Sequence, residues 1–135
     1  MNSVGIDVSK GRSTVAVMRP FGEVVISPFE VRHTNSELSA LARLLKSLDG
    51  ETRVVMEATE NYHTPVAKVL HDARLYVSVV HAKLIHGYGN NDLRRVKTDR
   101  KDAVKPANYG LNRWLTLPRY FPEEDTRLLL KNCYR

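Results

Sequence analysis

The first 33 residues show the alternation of apolar and polar positions that is typical of β-strands. Val4, Ile6 and Val8 fall on one face of the first run, with small or polar residues between them. The runs "STVAVMR" and "EVVISPFEV" follow after the turns "KGR" and "PFG". Because such short turns join neighbouring antiparallel strands, this part of the chain predicts a three-stranded meander.

From residue 34 onwards, helical patterns appear. The motif "TNSE" is a capping box, in which Thr34 caps a helix and Glu37 reaches back. A stripe of leucines at helical spacing follows it: Leu38, Leu41, Leu44, Leu45 and Leu48. Gly50 is placed to end this helix.

Two apolar strands and further helices complete the pattern. The strands are "RVVME" (53–57) and "LYVSVV" (75–80). Between them, "HTPVAKVLHDA" predicts a helix with Thr64 as its cap and Pro65 at its first position. After the fifth strand come a short helix and a Gly/Asn loop, and a last helical region begins at about Thr98. The order of elements predicts an α/β fold, in which a mixed five-stranded sheet has three antiparallel strands, then parallel strands, and helices on both faces.

Four acids fall where this fold would gather a ligand, because ligands bind at the carboxyl ends of parallel strands. Asp7 lies late in the first strand and Glu57 ends the fourth, and we expect these two strands to be neighbours. Asp99 and Asp102 would share one face of a helix, with Cβ atoms about 5–6 Å apart. Four converging carboxylates would repel one another, and oxygen-ligated Mg²⁺ or Mn²⁺ would remove that repulsion. Two such ions can support phosphodiester cleavage.

Each of these acids also has a simpler interpretation. Asp7 would then be bonded to the turn that follows it, although an acid within a Val/Ile strand is costly to bury without a partner. Glu57 would be a surface acid at the end of a strand. Asp99 and Asp102 would favour the start of a helix through its dipole. The residues alone leave these alternatives open.

Positive charge is concentrated in one short segment. The chain has 21 Lys and Arg against 15 Asp and Glu, a net charge of +6. The segment from Asp92 to Lys105 has three aspartates and a net charge of +3, half of the total, because it carries six bases: Arg94, Arg95, Lys97, Arg100, Lys101 and Lys105. This run predicts contact with a nucleic-acid backbone, although a solvated loop has the same composition. Tyr88, in the neighbouring Gly/Asn loop, is a further candidate for a nucleic-acid contact.

The remaining polar and aromatic residues indicate no other site. The five histidines, which lack zinc-site spacing, are expected to be surface or capping residues: His33, His63, His71, His81 and His86. Tyr62, Tyr109 and Trp114 are expected to pack rather than to stack on bases. With a single cysteine, Cys133, no signal peptide and no membrane-length apolar run, we expect a cytoplasmic protein without a membrane partner.

Three motifs together resemble one family. "GIDVSK", "VVMEATENYH" and "RRVKTDRKDA" are similar, in order and spacing, to the motifs of the DEDD transposases of the insertion-sequence-one-ten family, which includes the Piv-type invertases. The resemblance runs from Val4 to about Trp114. It implies a ribonuclease-H-like fold similar to that of the Holliday-junction resolvase RuvC. It also implies an acidic tetrad that binds two Mg²⁺ or Mn²⁺ ions: Asp7, Glu57, Asp99 and Asp102.

The chain departs from the family pattern in three places. Glu60 stands where glycine usually follows "EAT", and we expect an outward-facing residue rather than a fifth acid near the metals. Pro106 predicts either a bent helix or one that starts only near Asp102. Complete members carry a second domain with a catalytic serine. We therefore expect residues 1–115 to be the catalytic domain and residues 116–135 to begin a linker or a further helical region of a truncated chain.

Taken together, the motifs predict the N-terminal, metal-dependent catalytic domain of a DNA transposase or site-specific recombinase. DNA is the expected partner, a structured guide RNA is permitted by the resemblance, and the full-length protein is expected to form a homo-oligomer. Three alternatives stay open. They are a nuclease like the Holliday-junction resolvases, an actin-like kinase or ATPase domain suggested by "GIDVSK" before a hairpin, and a non-catalytic module that binds nucleic acid or itself.

Overall fold

A computed structural model describes residues 1–59, 61–87 and 103–122. Within these ranges the strands are β1 (Asn2–Ser9), β2 (Arg12–Arg19), β3 (Glu23–Arg32), β4 (Thr52–Glu57) and β5 (Tyr76–Val80). The α-helices are α1 (Asn35–Lys46), α2 (His63–Asp72), α3 (Ala82–Gly87) and α4 (Val104–Asn112). None of the described helices is long and apolar enough to cross a membrane.

The five strands form one mixed sheet in the order β3-β2-β1-β4-β5. β1 pairs with β2, and β2 with β3, in antiparallel fashion. β1 and β4 are parallel neighbours, as are β4 and β5. The predicted five-stranded sheet, with antiparallel strands followed by parallel ones, is therefore confirmed, and so is the predicted contact between the first and fourth strands.

One face of the sheet is covered by α1 and α2, which bury the larger hydrophobic core. Ile6 and Met56, on the two central strands, are fully buried there, together with Leu45 of α1 and Leu70 of α2. Their alternation along the strands sends every second residue to this face. The residues between them face the other side, where α4 packs.

α4 approaches β1 so closely at Gly5 that no side chain fits at this position. A Cβ built on Gly5 would overlap the carbonyl oxygen of Ala103 and lie 2.5 Å from the backbone nitrogen of Ala107. The Ser3 hydroxyl, on the same face, donates a hydrogen bond of 2.6 Å to the Ala107 carbonyl. A Cβ on Gly110 would overlap that hydroxyl. These contacts fix the position of α4 along β1.

The start of α1 agrees with the sequence, whereas its end does not. The Glu37 N–H donates to Thr34 Oγ1 at 3.3 Å, which confirms the predicted cap. Glu37 Oε1 accepts from the Arg32 N–H at 3.0 Å, so the acid reaches back past the cap residue. The helix ends at Lys46 rather than near Gly50. The predicted end was wrong because the leucine periodicity continues to Leu48, two residues beyond the helix.

α2 begins at another residue than predicted, and α4 is described from Val104 onward. α2 starts at His63 with Tyr62 at its N-cap, so Thr64 is not the cap and Pro65 is the third helical residue. α4 starts at Val104, which places Pro106 third as well. The first four N–H groups of a helix have no partner within it, so Pro106 removes no helical hydrogen bond. Within α4 the backbone shows no break at Pro106. The alternative expectation, a helix that starts near residue 102, agrees with Val104 as the first residue of α4. The predicted start at Thr98 lies outside the described residues.

The segment after α4 packs across the amino ends of β4 and β5. The Arg53 guanidinium lies 4.3 Å from the ring centre of Tyr76 and 4.8 Å from that of Trp114, and it donates a hydrogen bond to the Trp114 carbonyl. The Tyr76 hydroxyl donates to the Leu117 carbonyl at 2.6 Å. The packed unit therefore includes residues at least as far as Leu117. The domain division after residue 115 stays a prediction.

Candidate active site

Asp7 and Glu57 are neighbours on the two central parallel strands. The β1–β4 register pairs Ile6 with Met56. Extended by one residue, the same register sets Asp7 beside Glu57, at a strand separation of about 4.8 Å. Both residues are half-buried. The structure therefore brings together two of the four predicted acids.

Both side chains point to the face on which α4 packs. Ser3 and Gly5 contact α4 from β1, and Asp7 follows them at the same two-residue spacing. On β4, Val55 faces α4, because its Cγ2 would lie 2.8 Å from a Cβ on Gly110. Glu57 is two residues further along. The two carboxylates thus share one face at the carboxyl edge of the sheet, the edge that binds ligands in such folds.

The end of β4 is held by its pairing with β5. Glu57 pairs with Val80 of β5, and the Ala58 N–H donates to the Val80 carbonyl at 2.8 Å. The chain then turns and enters α2 at His63. The backbone that carries the Glu57 side chain is therefore anchored to a buried strand.

Most of the other predicted site residues lie outside the described residues. These are the acids Asp99, Asp102 and Glu60, the bases Arg94, Arg95, Lys97, Arg100 and Lys101, and Tyr88. Lys105 is described, and it is half-buried in the first turn of α4. Ala103, the first described residue after this segment, lies against Gly5.

Among residues 1–59, 61–87 and 103–122, no group of three or more His, Cys, Asp or Glu side chains is arranged to hold a metal ion. The described part of the site supplies two carboxylates, Asp7 and Glu57. Carboxylate oxygens are the donors that Mg²⁺ and Mn²⁺ prefer. The donor chemistry of these two residues therefore fits such an ion, and the remaining ligands would have to come from outside the described ranges.

A histidine supports the hairpin at the same edge. His33 donates its backbone N–H to the Gly11 carbonyl at 3.0 Å, and its Nε2 lies 2.7 Å from Ser13 Oγ. Burial lowers the pKa of His33 below its usual value of 6.5, because the cation loses solvent there. The imidazole is accordingly a neutral structural group at physiological pH.

Sequence reasoning missed His63. It is buried, with 7% of its surface exposed, and its Nδ1 bonds to the backbone of Thr59 in the turn after Glu57. It is therefore neither the surface residue nor the capping residue that was predicted, since Tyr62 is the N-cap of α2. The spacing of four between Thr59 and His63 is the only signal for it in the sequence. Tyr109 and Trp114 pack as predicted, whereas Tyr62 is exposed.

The fold is that of a RuvC-like, ribonuclease-H-like domain. A solved structure described as Thermus thermophilus RuvC in complex with a Holliday junction substrate is similar to this chain, with a TM-score of 0.62 at 12% identity. The match covers 89% of this chain and 99% of that one. A second T. thermophilus RuvC structure gives a TM-score of 0.60 at 13% identity, over 89% of this chain and 100% of that chain.

The sequence identifies the family within this fold. The family model of the IS110 DEDD transposases, described as a transposase, matches residues 4–135. The chain therefore belongs to this family, the insertion-sequence-one-ten family that its motifs resemble. A comparison with curated protein sequences gave no match.

Proposed function

We propose that the chain is the metal-dependent catalytic domain of a DNA transposase, which cleaves phosphodiester bonds and transfers DNA strands. The observation that carries the proposal is the parallel β1–β4 register, which pairs Ile6 with Met56 at the carboxyl edge; Asp7 and Glu57 are the next residues of the two strands. Membership of the DEDD transposase family supports the same assignment. In this proposal Asp7, Glu57, Asp99 and Asp102 act as one acidic tetrad.

The position of α4 on β1 supports the inclusion of Asp102 in the proposed tetrad. Ala103 lies against Gly5, and Gly5 precedes Asp7 by two residues on the same face of β1. Asp102 directly precedes Ala103 in the sequence, and the proposal includes it in the tetrad on this ground. Asp99 joins the site in the proposal through its spacing of three from Asp102.

The proposed cofactor is a pair of Mg²⁺ or Mn²⁺ ions held by the tetrad. When bound, such ions stabilise negative charge on the oxygens of the phosphodiester and help to deprotonate a nucleophile. Asp7 and Glu57 would supply oxygen ligands from a rigid sheet. α4 packs on the same face of that sheet, against Ser3 and Gly5.

The proposed substrate is DNA, whose backbone the basic run would contact. Lys105 is one of the six bases of this run. It lies in the first turn of α4, three residues after Asp102 in the sequence. Neutralised phosphates release counterions, and this favours binding. A structured guide RNA, a homo-oligomer of the full-length protein and a cytoplasmic location stay predictions.

A second candidate function is cleavage of four-way DNA junctions. The observation that favours it is the similarity in fold to RuvC, one structure of which is described as a complex with a Holliday junction substrate. At 12% identity this similarity concerns the fold, so the family membership carries more weight. The two functions would use the same acids and differ in the DNA that is bound.

Cleavage assays with matched variants test the proposal. Labelled linear duplexes with transposon ends, and four-way junctions, would be incubated with Mn²⁺ and the protein. We expect Glu57→Gln to abolish cleavage and Glu51→Gln to leave it intact, because Glu51 lies just before β4, at its opposite end, and pairs with Arg53 at 2.7 Å. Equal activity of the two variants would contradict the proposal. Cleavage of junctions alone would favour the second candidate.

A further inference from the structure

The turn that follows Glu57 is closed by a buried histidine. The Thr59 N–H donates a hydrogen bond of 3.1 Å to His63 Nδ1, and the same nitrogen lies 2.5 Å from the Thr59 carbonyl oxygen. His63 is the first residue of α2, and 7% of its surface is exposed. A single ring nitrogen thus meets both backbone groups of one residue.

This contact is a polar link between the described part of the turn and α2. Tyr62, the N-cap of α2, makes no capping bond with its side chain. Thr59 Oγ1 is buried and has no hydrogen-bond partner within the described part of the chain. The His63 ring nitrogen gives the backbone of Thr59 a hydrogen-bond partner on α2.

The turn lies next to the candidate site. Ala58 is tied to Val80 by a backbone bond of 2.8 Å, and Glu57 precedes it directly. Up to Ala58 the chain is therefore held by β5, and beyond it by His63. Without the His63 contact, the Val80 bond to Ala58 would be the last of these two ties between the turn and the strand that carries Glu57.

We infer that His63 is a positioning residue for Glu57, which it orients through the Thr59 backbone without touching the substrate. The inference rests on the proposed function, in which Glu57 is a metal ligand. The acting atom is Nδ1. When it is unprotonated it accepts from the Thr59 N–H, and when it is protonated it donates to the Thr59 carbonyl. Either tautomer therefore keeps the turn closed.

Two variants distinguish the acting nitrogen. In His63→Asn the amide group is attached at Cγ, as Nδ1 is, so its oxygen can accept from the Thr59 N–H. In His63→Gln the amide lies one carbon further out, nearer the position of Nε2. His63→Phe keeps the ring volume but has no acceptor. We expect all three to fold, because the ring lies at the start of a helix whose core contacts come from Val66, Ala67 and Leu70.

The readouts are the Mn²⁺ dissociation constant of the 135-residue chain and the side-chain order of Glu57, measured by ¹³C relaxation. We expect His63→Gln and His63→Phe to weaken Mn²⁺ binding tenfold or more and to disorder the Glu57 side chain. We expect His63→Asn to remain within threefold of the wild type. A residue needed only for packing would instead make Phe the best replacement.

Two results would overturn the inference: equal Mn²⁺ affinity in the Asn and Gln variants, or a Glu57 side chain that is equally ordered in all of them. If the Phe variant does not fold, the Asn and Gln pair still decides the question. A wild-type chain that binds no Mn²⁺ would contradict the proposed metal site. In that case the Glu57 relaxation data would still decide whether His63 orients this side chain.

Discussion

Gly5 of β1 and Ala103, just before α4, are in direct backbone contact, so that a methyl group on Gly5 would overlap the Ala103 carbonyl oxygen. Gly5 precedes Asp7 by two residues, and Ala103 follows Asp102 by one. The contact therefore joins the two halves of the sequence that supply the proposed tetrad. A glycine in the first motif, "GIDVSK", is what allows the helix to come this close.

Replacement of Gly5 by alanine should displace α4. Overpacking of this kind typically costs about 1–3 kcal/mol of unfolding free energy. We expect Gly5→Ala to lower the urea midpoint accordingly and to weaken Mn²⁺ binding. Gly11→Asn is the matched control, because a Cβ at Gly11 meets nothing within 4 Å and asparagine tolerates its positive φ. It should cost less than about 1 kcal/mol. Equal stability of the two variants would show that α4 does not depend on the contact.

The sequence predicted the sheet because alternation along β1 and the short turns after it are local signals. It also predicted that the first and fourth strands, which carry Asp7 and Glu57, are neighbours, because both are apolar strands of such a sheet. The buried role of His63 could not be predicted, because it depends on a turn whose path is set by the packing of α2. The contact between Gly5 and Ala103 joins residues 98 positions apart, and no local pattern reports such a distance.

Arg53 should contribute to stability through its position between two rings. Its guanidinium stacks on Tyr76 and Trp114 and donates to the Trp114 carbonyl. We expect Arg53→Lys to destabilise the chain by about 1 kcal/mol, because an ammonium cannot stack and donate in the same geometry. Exposed Arg43, replaced by lysine in the same way, should change stability by less than about 0.5 kcal/mol. Denaturant unfolding measures both, and equal effects would show that the stacking contributes nothing.

His33 should make stability depend on pH. Burial lowers the pKa of His33 in the folded state, so the unfolded chain takes up a proton at higher pH than the folded chain does. Stability should therefore be highest above pH 6.5, the usual pKa, and fall as the pH drops below that value. Urea unfolding at pH 7.5 and 5.5 would be compared between the wild type and His33→Gln. A difference between the two proteins that is the same at both pH values would contradict the prediction.

The basic run should determine how DNA binding depends on salt. Each phosphate contact with duplex DNA contributes about 0.9 to the slope of log K against log salt concentration. Replacement of three bases by glutamine, namely Arg94, Arg95 and Lys97, should lower that slope by about 2–3. The control triple replaces the exposed helix residues Arg43, Lys46 and Lys68. An equal change of slope in both triple variants would show that the basic run has no specific role in DNA binding.

The most direct test of the proposed site is an Mn²⁺ titration by isothermal calorimetry. The wild-type chain, Asp7→Asn and the control Asp72→Asn would be compared, since Asp72 is an exposed acid at the end of α2. The metal-site account predicts binding of two ions by the wild type and by Asp72→Asn, and loss or at least tenfold weakening in Asp7→Asn. Equal binding by the wild type and Asp7→Asn, or no binding by the wild type, would contradict it.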